Sequence, residues 1–481
     1  LVEFSPGFHA PPLVSDAGWI PRNAARGLGL KVDRVQPSLT FSVVAEPGTV
    51  MSLSNDVARS ADALRRFSPR DAERWHHFTA RLHTLAGFLD ALYQLPAPDI
   101  DTTARDELLG LLGLARRLRG LGKTEMTELL RLMPMSVQEL VDDWFEGIPL
   151  KAAIASSAVR HLHQGPRSGG TTFVLLHHLI GTPAGSIRNS DWWRTGPDAF
   201  VRAAEDTARK HGVTIRTDAP VARIDVRDDA VVGVVLESGE EIAALRVLST
   251  ADPARTLLGM VDPVWLDPEF LHAVRNIKLR GCTAFVMFGL NALPEIPELA
   301  ADALRGVISL TPSTTALERA ADAAKYGELA DPPHIEITLP TLRWPNRELA
   351  PAGQHVLVAS AHYAPYRLRA GAQWDATQRD LLADRVTAAL DAVSPCFSSR
   401  IVDCVVLTPA DLEQRYGLTE GALTHGELML DQILFMRPIP GWGRHTTPIR
   451  GLYLGSAGTH PGPAVLGGPG WLAATRILHD R

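Results

Sequence analysis

The stretch Gly451-Leu452-Tyr453-Leu454-Gly455-Ser456-Ala457-Gly458-Thr459-His460-Pro461-Gly462, continued by Pro463-Ala464-Val465-Leu466 to Gly467-Gly468-Pro469-Gly470-Trp471, constrains the fold more than any other part of the sequence. A short apolar strand, Gly451–Gly455, runs into glycines, which let the backbone approach a bound group closely because no Cβ stands in the way. A helix starting near Pro469 then turns its free N–H groups and the positive end of its dipole toward the same spot. Such a helix start stabilises phosphate, or negative charge on a reduced flavin ring. A glycine-rich surface turn without a ligand would use the same residues, and the local pattern leaves both readings open. The letters Gly468-Pro469-Gly470-Trp471-Leu472-Ala473 match G-x-G-x-x-A, but no strand follows and no acid stands beyond them to hold a ribose. They are not a dinucleotide fingerprint in their own right. Nowhere else does a G-x-G-x-x-G follow a strand and open a helix.

A second apolar strand ends in a turn at Val247-Leu248-Ser249-Thr250-Ala251-Asp252-Pro253. Residues just past a strand's carboxyl end are where open α/β sheets bind ligands, although an ordinary strand-to-helix turn reads the same way. Upstream, Asp198–His211 patterns as an amphipathic helix closed by Gly212. Strands are expected at Val213–Thr217, Ala222–Val226, Val231–Leu236 and Ile242–Ser249, with turns at Asp228-Asp229 and Glu237-Ser238-Gly239. Helix, strand, meander and buried strand make half of a nucleotide-binding architecture.

Elsewhere the period is helical. Ser68 can N-cap a helix, with Pro69 in its first turn and Asp71 at the capping-box position. Trp75, Phe78, Leu82, Leu85, Phe88, Leu89 and Leu92 share one face, and Pro96 and Pro98 end the run. Glu107–Leu121 and Thr124–Phe145 follow, the latter interrupted near Pro134, and Thr171–Ile180 is short and apolar. Cys282–Leu290, Ile335–Leu339 and His355–His362 read as strands and Thr377–Val393 as a helix.

With 45% hydrophobic residues among 481, 21% charged and a formal net charge of -6, the chain has material for a large core and no basic face for nucleic acid. Cys282, Cys396 and Cys404 form no CxxC pair, which fits a reducing compartment and a cytoplasmic setting. No apolar run reaches membrane-spanning length. The chain opens on Leu1-Val2-Glu3-Phe4-Ser5-Pro6-Gly7-Phe8 in what reads as the middle of a domain, so an incomplete reading frame or a processed start is expected.

Several segments together resemble the phytoene-desaturase type of FAD-dependent oxidoreductase, with the subgroup around pyridine nucleotide-disulphide oxidoreductase domain-containing protein 2 nearest. Phe4-Ser5-Pro6-Gly7-Phe8 is similar to the stretch after that family's first βαβ unit, and Ala251-Asp252-Pro253 to its turn beside the flavin. Tyr416-Gly417-Leu418-Thr419, Thr424-His425-Gly426-Glu427-Leu428, Asp431-Gln432, Phe435-Met436-Arg437-Pro438 and Pro440-Gly441-Trp442 resemble later blocks, in family order. The resemblance implies an α/β fold: a discontinuous, Rossmann-like FAD domain whose first βαβ unit is missing here, and a substrate domain of mixed sheet and helices. It implies non-covalent FAD contacted by Val221 on the adenine side, by Ala251 and Asp252, by Gly455 and Ser456, and by Gly467, Gly468, Pro469, Gly470 and Trp471 at the flavin ring. The family's glycine-rich H-P-G-G-G loop stands here as His460-Pro461-Gly462-Pro463-Ala464, and its R-G-G run as Trp193-Arg194-Thr195-Gly196-Pro197.

The expected division is 1–50, 191–265 and 441–481 for the FAD domain, with 51–190 (helical) and 266–440 (mixed sheet) for the substrate domain. The expected chemistry is hydride transfer from C–C bonds of an apolar small molecule to flavin. A flavin-free binding or regulatory homologue and a redox-neutral double-bond isomerase are the alternatives. His76-His77, His161 with His163 and His177-His178 lack metal-site spacing, so no metal is expected. His425 and Glu427 form a polar cluster on the substrate side or a hydrogen-bonded structural turn, and no catalytic base is assigned. Arg116-Arg117-Leu118-Arg119 could lie on a membrane surface or form a solvated face; the oligomeric state is not legible.

Overall fold

Helix Pro69–Tyr93 starts where its capping chemistry puts it: the Ser68 hydroxyl accepts from the Asp71 N–H at 3.0 Å. Asp71 does not return the capping-box bond. Its carboxylate instead accepts from the N–H groups of Glu146 and Gly147, at 3.0 and 2.8 Å. The start of this helix is thereby tied to the start of a later one, Ile148–Ala158, because a buried carboxylate gains more from two otherwise unpaired donors than from one. Trp75, Phe78, Leu82, Leu85, Leu89 and Leu92 are all buried, as the period requires. The computed structural model describes residues 1–480 except 12, 14, 15 and 99–104.

The helical run expected to break near Pro134 does so, as Gly122–Leu132 and Val137–Trp144. These helices cover one face of a seven-stranded sheet. Its order is Ile401–Leu407, Thr283–Leu290, His355–His362, His334–Thr338, Val307–Leu310, Phe41–Glu46, Thr49–Leu53. Only Val307–Leu310 and Phe41–Glu46 run parallel; the other neighbours are antiparallel. Side chains alternate across the pleat. Phe41, Val43, Met51 and Leu53 join the core of the helical block. Val44, Ile308, Ile335 and Ile337 face the other way, onto Leu382, Val386 and Leu390 of helix Ala376–Val393. The boundary expected at residue 50 therefore falls inside a hairpin of this sheet.

The second body is smaller. Val221–Arg227, Ala230–Leu236 and Glu241–Ala243 form an antiparallel meander, turned at Asp228 and Asp229, whose φ values of 50° and 59° suit a tight hairpin. Val247–Ser249 and Leu452–Leu454 form a parallel pair in the register Ser249↔Leu454, although 202 residues lie between them in the chain. Two expectations are corrected here. Ile242–Ser249 is not one strand: the chain leaves the meander at Ala243, exposes Leu245 (86%), and crosses to pair with Leu452–Leu454. Val213–Thr217 is not a strand; among the described residues none pairs with it, and Val213 stays 51% exposed. No helix among the described residues is long and apolar enough to cross a membrane.

Candidate functional site at the carboxyl ends of a parallel strand pair

Because Val247–Ser249 and Leu452–Leu454 are parallel, the Thr250–Asp252 turn and the Gly455–Gly462 loop emerge at the same edge. The Gly455 N–H donates to Ser249 O at 2.9 Å, closing the two ends together. A Cβ on Gly455 would fall 2.9 Å from Leu248 Cδ1 and 3.3 Å from Ala473 Cβ. One on Gly458 would fall 2.4 Å from Pro253 Cδ. These glycines are needed for close packing of strand, turn and helix on one another. At Gly470, by contrast, a Cβ would meet nothing within 4 Å, so open space lies at the first turn of helix Gly468–His479.

The loop is held from beneath. Arg437 is completely buried, and its guanidinium donates to Ala457 O (2.8 and 3.0 Å), Thr424 O (2.6 Å), Gly426 O (3.2 Å) and Gln432 O (3.2 Å). Burial draws its pKa down to about 10, so it remains a cation at neutral pH. His177 Nε2 donates to Pro463 O at 2.8 Å, while Nδ1 accepts from the Tyr93 hydroxyl at 2.9 Å. That tautomer follows from the carbonyl, which can only accept. Burial lowers the His177 pKa to about 4, so the ring is neutral. Trp19 pairs with the far side of the loop: its N–H donates to Ala464 O and its carbonyl accepts from Leu466 N–H.

Above the loop is a cavity of about 270 Å³. Pro463–Leu466, Trp19, Leu162, Val174, Leu423 and Leu428 supply much of the wall, and Asp16, Arg160, His161, His178 and Arg188 are among its polar residues. Arg188 makes a two-pronged bond to Glu336, 2.8 Å on each prong, and both side chains are buried. Burial alone would raise the Glu336 carboxyl, but Arg188 and His362 hold it well below the usual range. Arg160 and Arg343 share Asp16, at 3.2 and 3.0 Å. His334 stacks on His362 with ring centres 5.0 Å apart. Burial, and for His161 the neighbouring Arg160, keep His161 and His178 well below their ordinary pKa.

The fold is that of the FAD-dependent amine oxidases. A putrescine oxidase redesigned at its cofactor site superposes with a TM-score of 0.55 at 13% identity, covering 96% of this chain and 87% of that one. Cyclohexylamine oxidase from Brevibacterium oxydans gives 0.51 at 13% identity, covering 97% and 88%. The chain belongs to the flavin containing amine oxidoreductase family, whose profile matches residues 22–288. Pyridine nucleotide-disulfide oxidoreductase domain-containing protein 2 of Rattus norvegicus is 31% identical over 459 residues, 92% of this chain and 79% of the rat protein. Phytoene desaturase (lycopene-forming) of a Paracoccus species is 28% identical over 320 residues, 64% of this chain and 58% of that protein. FAD is the cofactor of this family and fold.

Room for the ring end of that cofactor lies at Gly470, in the first turn of helix Gly468–His479, whereas Gly455 and Gly458 are filled by the protein's own atoms. At the other end, among the described residues Val247–Ser249 pairs with Leu452–Leu454 alone, and Leu248 is 37% exposed. No strand–glycine–helix unit for a pyrophosphate occurs among the described residues.

Of the residues named from the sequence, Ala251, Asp252, Gly455 and Ser456 come together at this edge, with Gly467, Gly468, Pro469 and Gly470 at the neighbouring helix start. The Asp252 carboxylate is engaged within the protein, accepting from Arg255 N–H at 2.8 Å and from the Thr419 hydroxyl at 2.6 Å. Ser456 Oγ accepts from Gly458 N–H. Trp471 faces helix Arg22–Gly27, where a Cβ on Gly27 would lie 2.1 Å from its ring. Val221 stands apart, on the meander. Glu427 is a structural tie, accepting from His163 N–H (2.8 Å) and from Arg280 (2.5 Å). The sequence reading missed Tyr93, His177 and Arg437 as supports of the loop, and Arg160 and Arg188 as cavity wall. The one sequence signal was a polar residue among apolar neighbours, as at His177 after Phe173-Val174-Leu175-Leu176; Arg188, in Ser186-Ile187-Arg188-Asn189, carried none.

Proposed function

We propose that the chain is a phytoene-dehydrogenase-like oxidoreductase that removes hydrogen from a C–C bond of a largely apolar small molecule bound in the cavity above the Pro463–Leu466 loop. FAD, when bound, supplies the hydride acceptor. The observation that carries the reading is continuity along the chain: the Pro463–Leu466 wall of the cavity runs directly into the Gly467–Trp471 turn expected at the flavin ring. Leu162, Val174, Leu423 and Leu428 would hold the apolar body and exclude water, and Tyr93, His177 and Arg437 would fix the loop against it. Cofactor contacts are proposed at Ala251, Gly455, Ser456 and Gly467–Gly470 through backbone, since the Asp252 carboxylate already has its partners. The division into cofactor-holding and substrate lobes is part of the same proposal.

Peripheral membrane contact is proposed through helix Arg105–Gly120, where Leu109 and Leu112 are 65% and 59% exposed near Arg116, Arg117 and Arg119. The test of function is spectroscopic. The purified chain with added FAD should show flavin absorbance that bleaches anaerobically with an unsaturable apolar substrate and recovers with an electron acceptor. Absence of FAD uptake would favour a flavin-free binding protein, and turnover without acceptor consumption would favour an isomerase.

A further inference from the structure

Two imidazoles on the cavity wall have hydrogen-bonding capacity that the protein leaves unused. His178 Nε2 is enclosed without a partner, and among the described residues its Nδ1 makes no bond to the protein either. His161 is bonded at Nδ1 alone, to the Thr283 hydroxyl at 3.1 Å, so its Nε2 is unengaged among the described residues. Its backbone stands in the left-handed region at φ 59°, and its ring centre lies 5.4 Å from that of His362, so the surroundings hold both in place. His178 is near enough to act on the His161 ring electrostatically. Burial is the main reason both rings stay well below their ordinary pKa, and both are neutral at neutral pH. The two guanidiniums on the same wall differ, since each already faces a carboxylate: Arg160 meets Asp16 at 3.2 Å and Arg188 meets Glu336 at 2.8 Å.

A neutral imidazole carries one N–H and one lone pair. An interior tolerates an unpaired acceptor better than an unpaired N–H. The enclosed Nε2 of His178 therefore keeps the lone pair, and Nδ1–H is the donor left for the cavity. With Nδ1–H of His161 donating to Thr283 Oγ1, Nε2 of that ring is an acceptor. One donor and one acceptor, neither of them charged, match a hydroxyl, which accepts from the first and donates to the second. An ether or carbonyl oxygen would satisfy only His178, and a carboxylate would add a charge while bringing no proton to His161. A metal would use the neighbouring His334, Glu336 and His362, whose potential ligand atoms lie within 4.8 Å of one another. There the Arg188 guanidinium occupies both oxygens of Glu336, so a cation would sit against a fixed positive charge.

We propose that the substrate carries a hydroxyl at one end, accepting from His178 and donating to His161, with its apolar body along Leu162, Leu423, Leu428 and the Pro463–Leu466 loop. This rests on the reading that the cavity is the substrate site. It narrows that reading from any apolar molecule to an apolar alcohol. The hydroxyl is a handle: it gives the body a fixed orientation over the loop and takes no part in the bond that loses hydrogen.

Calorimetric titration of the purified chain, with FAD added, tests this using three eight-carbon probes: 1-octanol, its isomer 1-methoxyheptane, and octanoate. The ether accepts a hydrogen bond but cannot donate one, and a purely apolar or water-filled pocket would prefer it to the alcohol, because it sheds less hydration. Octanol should bind about fivefold or more tightly than the ether, and octanoate more weakly than octanol. His161→Phe should reduce the alcohol-over-ether preference to about twofold or less, and His178→Phe should weaken both neutral probes by about fivefold. Equal or tighter binding of the ether, preference for the acid, binding of none of the three, a preference that survives in folded His161→Phe, or unchanged octanol affinity in folded His178→Phe would each overturn the proposal. If either variant fails to fold, the comparison of probes on the unaltered protein decides. Binding is read without turnover, so the two proposals fail separately. A chain that holds FAD but does not select octanol refutes the hydroxyl head alone. One that selects octanol and never takes up FAD refutes the redox reading alone.

Discussion

Two sheets of this molecule, the largest and the parallel pair, make opposite bargains with solvent. The seven-stranded sheet is covered on both faces, by the helical block and by helix Ala376–Val393, and strand Thr283–Leu290 is buried along its whole length. Among the described residues the parallel pair Val247–Ser249 and Leu452–Leu454 has only two strands, with Leu248 37% exposed. Parallel strands are ordinarily found in sheets covered on both faces, so the pair depends on the loops and buried polar groups that brace it. The difference teaches that global stability and cofactor affinity reside in different places, and mutations should separate them.

The largest effect is expected at the brace itself. Arg437→Met removes donors from four backbone carbonyls in the interior, a loss on the order of 3–5 kcal/mol. Trp75→Ala, in the helical block, should cost a similar amount, about 3–5 kcal/mol, through the cavity it leaves. The comparison sharpens when urea midpoints are set beside FAD affinity. Arg437→Met should weaken both, whereas Trp75→Ala should lower only the midpoint. Loss of FAD affinity in Trp75→Ala without unfolding would break the separation.

Acid should act next, and mainly on the braced side. Burial lowers His177 and His445 to about 4 and His460 to about 3, all at or beside the glycine loop. In the unfolded chain these rings take up protons near pH 6.5. Between that value and about 4 the unfolded state binds more protons, so stability is full above pH 6.5 and falls as pH drops toward the folded values. Each ring contributes up to about 1.4 kcal/mol per pH unit in that window. His460→Phe should flatten the fall in urea-unfolding free energy between pH 6.5 and pH 4, and an unchanged slope would remove His460 from the account.

Much of the larger region was legible in the sequence, because burial on an element's face is written in periodicity. The face of Pro69–Tyr93, the break near Pro134 and the strand His355–His362 all followed from it. The smaller region was legible as motifs but not as contacts. Glycine at 455 and Asp-Pro at 252–253 announced strand ends, while nothing local disclosed that Arg437, quoted only as part of a motif, would reach the loop. Val213–Thr217 carries a strand's composition, but pairing needs a neighbour that periodicity cannot supply. The ion pairs of Arg160 and Arg343 with Asp16 and of Arg188 with Glu336 were equally invisible, since their members are far apart in the chain.

A smaller effect tests the site at its open point. At Gly470 a methyl group would meet nothing in the protein, and alanine suits a helix better than glycine by about 1 kcal/mol. Gly470→Ala should therefore leave the urea midpoint unchanged or slightly raised. If the ring of FAD approaches the helix start there, the same methyl should weaken FAD binding about tenfold, roughly 1.4 kcal/mol. Unchanged affinity by flavin fluorescence titration would move the ring away from this helix.

The smallest expected change concerns the loop's one non-glycine strain. Ala464 has φ of 60°, in the left-handed region where a Cβ crowds the following carbonyl. Trp19 N–H and His177 fix the backbone on either side of it, through Ala464 O and Pro463 O, so the residue cannot relax. Ala464→Gly removes the crowding, worth about 1–2 kcal/mol, but makes the unfolded chain more flexible, which costs about 0.4–1 kcal/mol. The net should be a stabilisation of about 0.5–1 kcal/mol, read as a higher urea midpoint with an unchanged slope. A loss of stability would mean that the alanine methyl makes cavity contacts worth more than the strain.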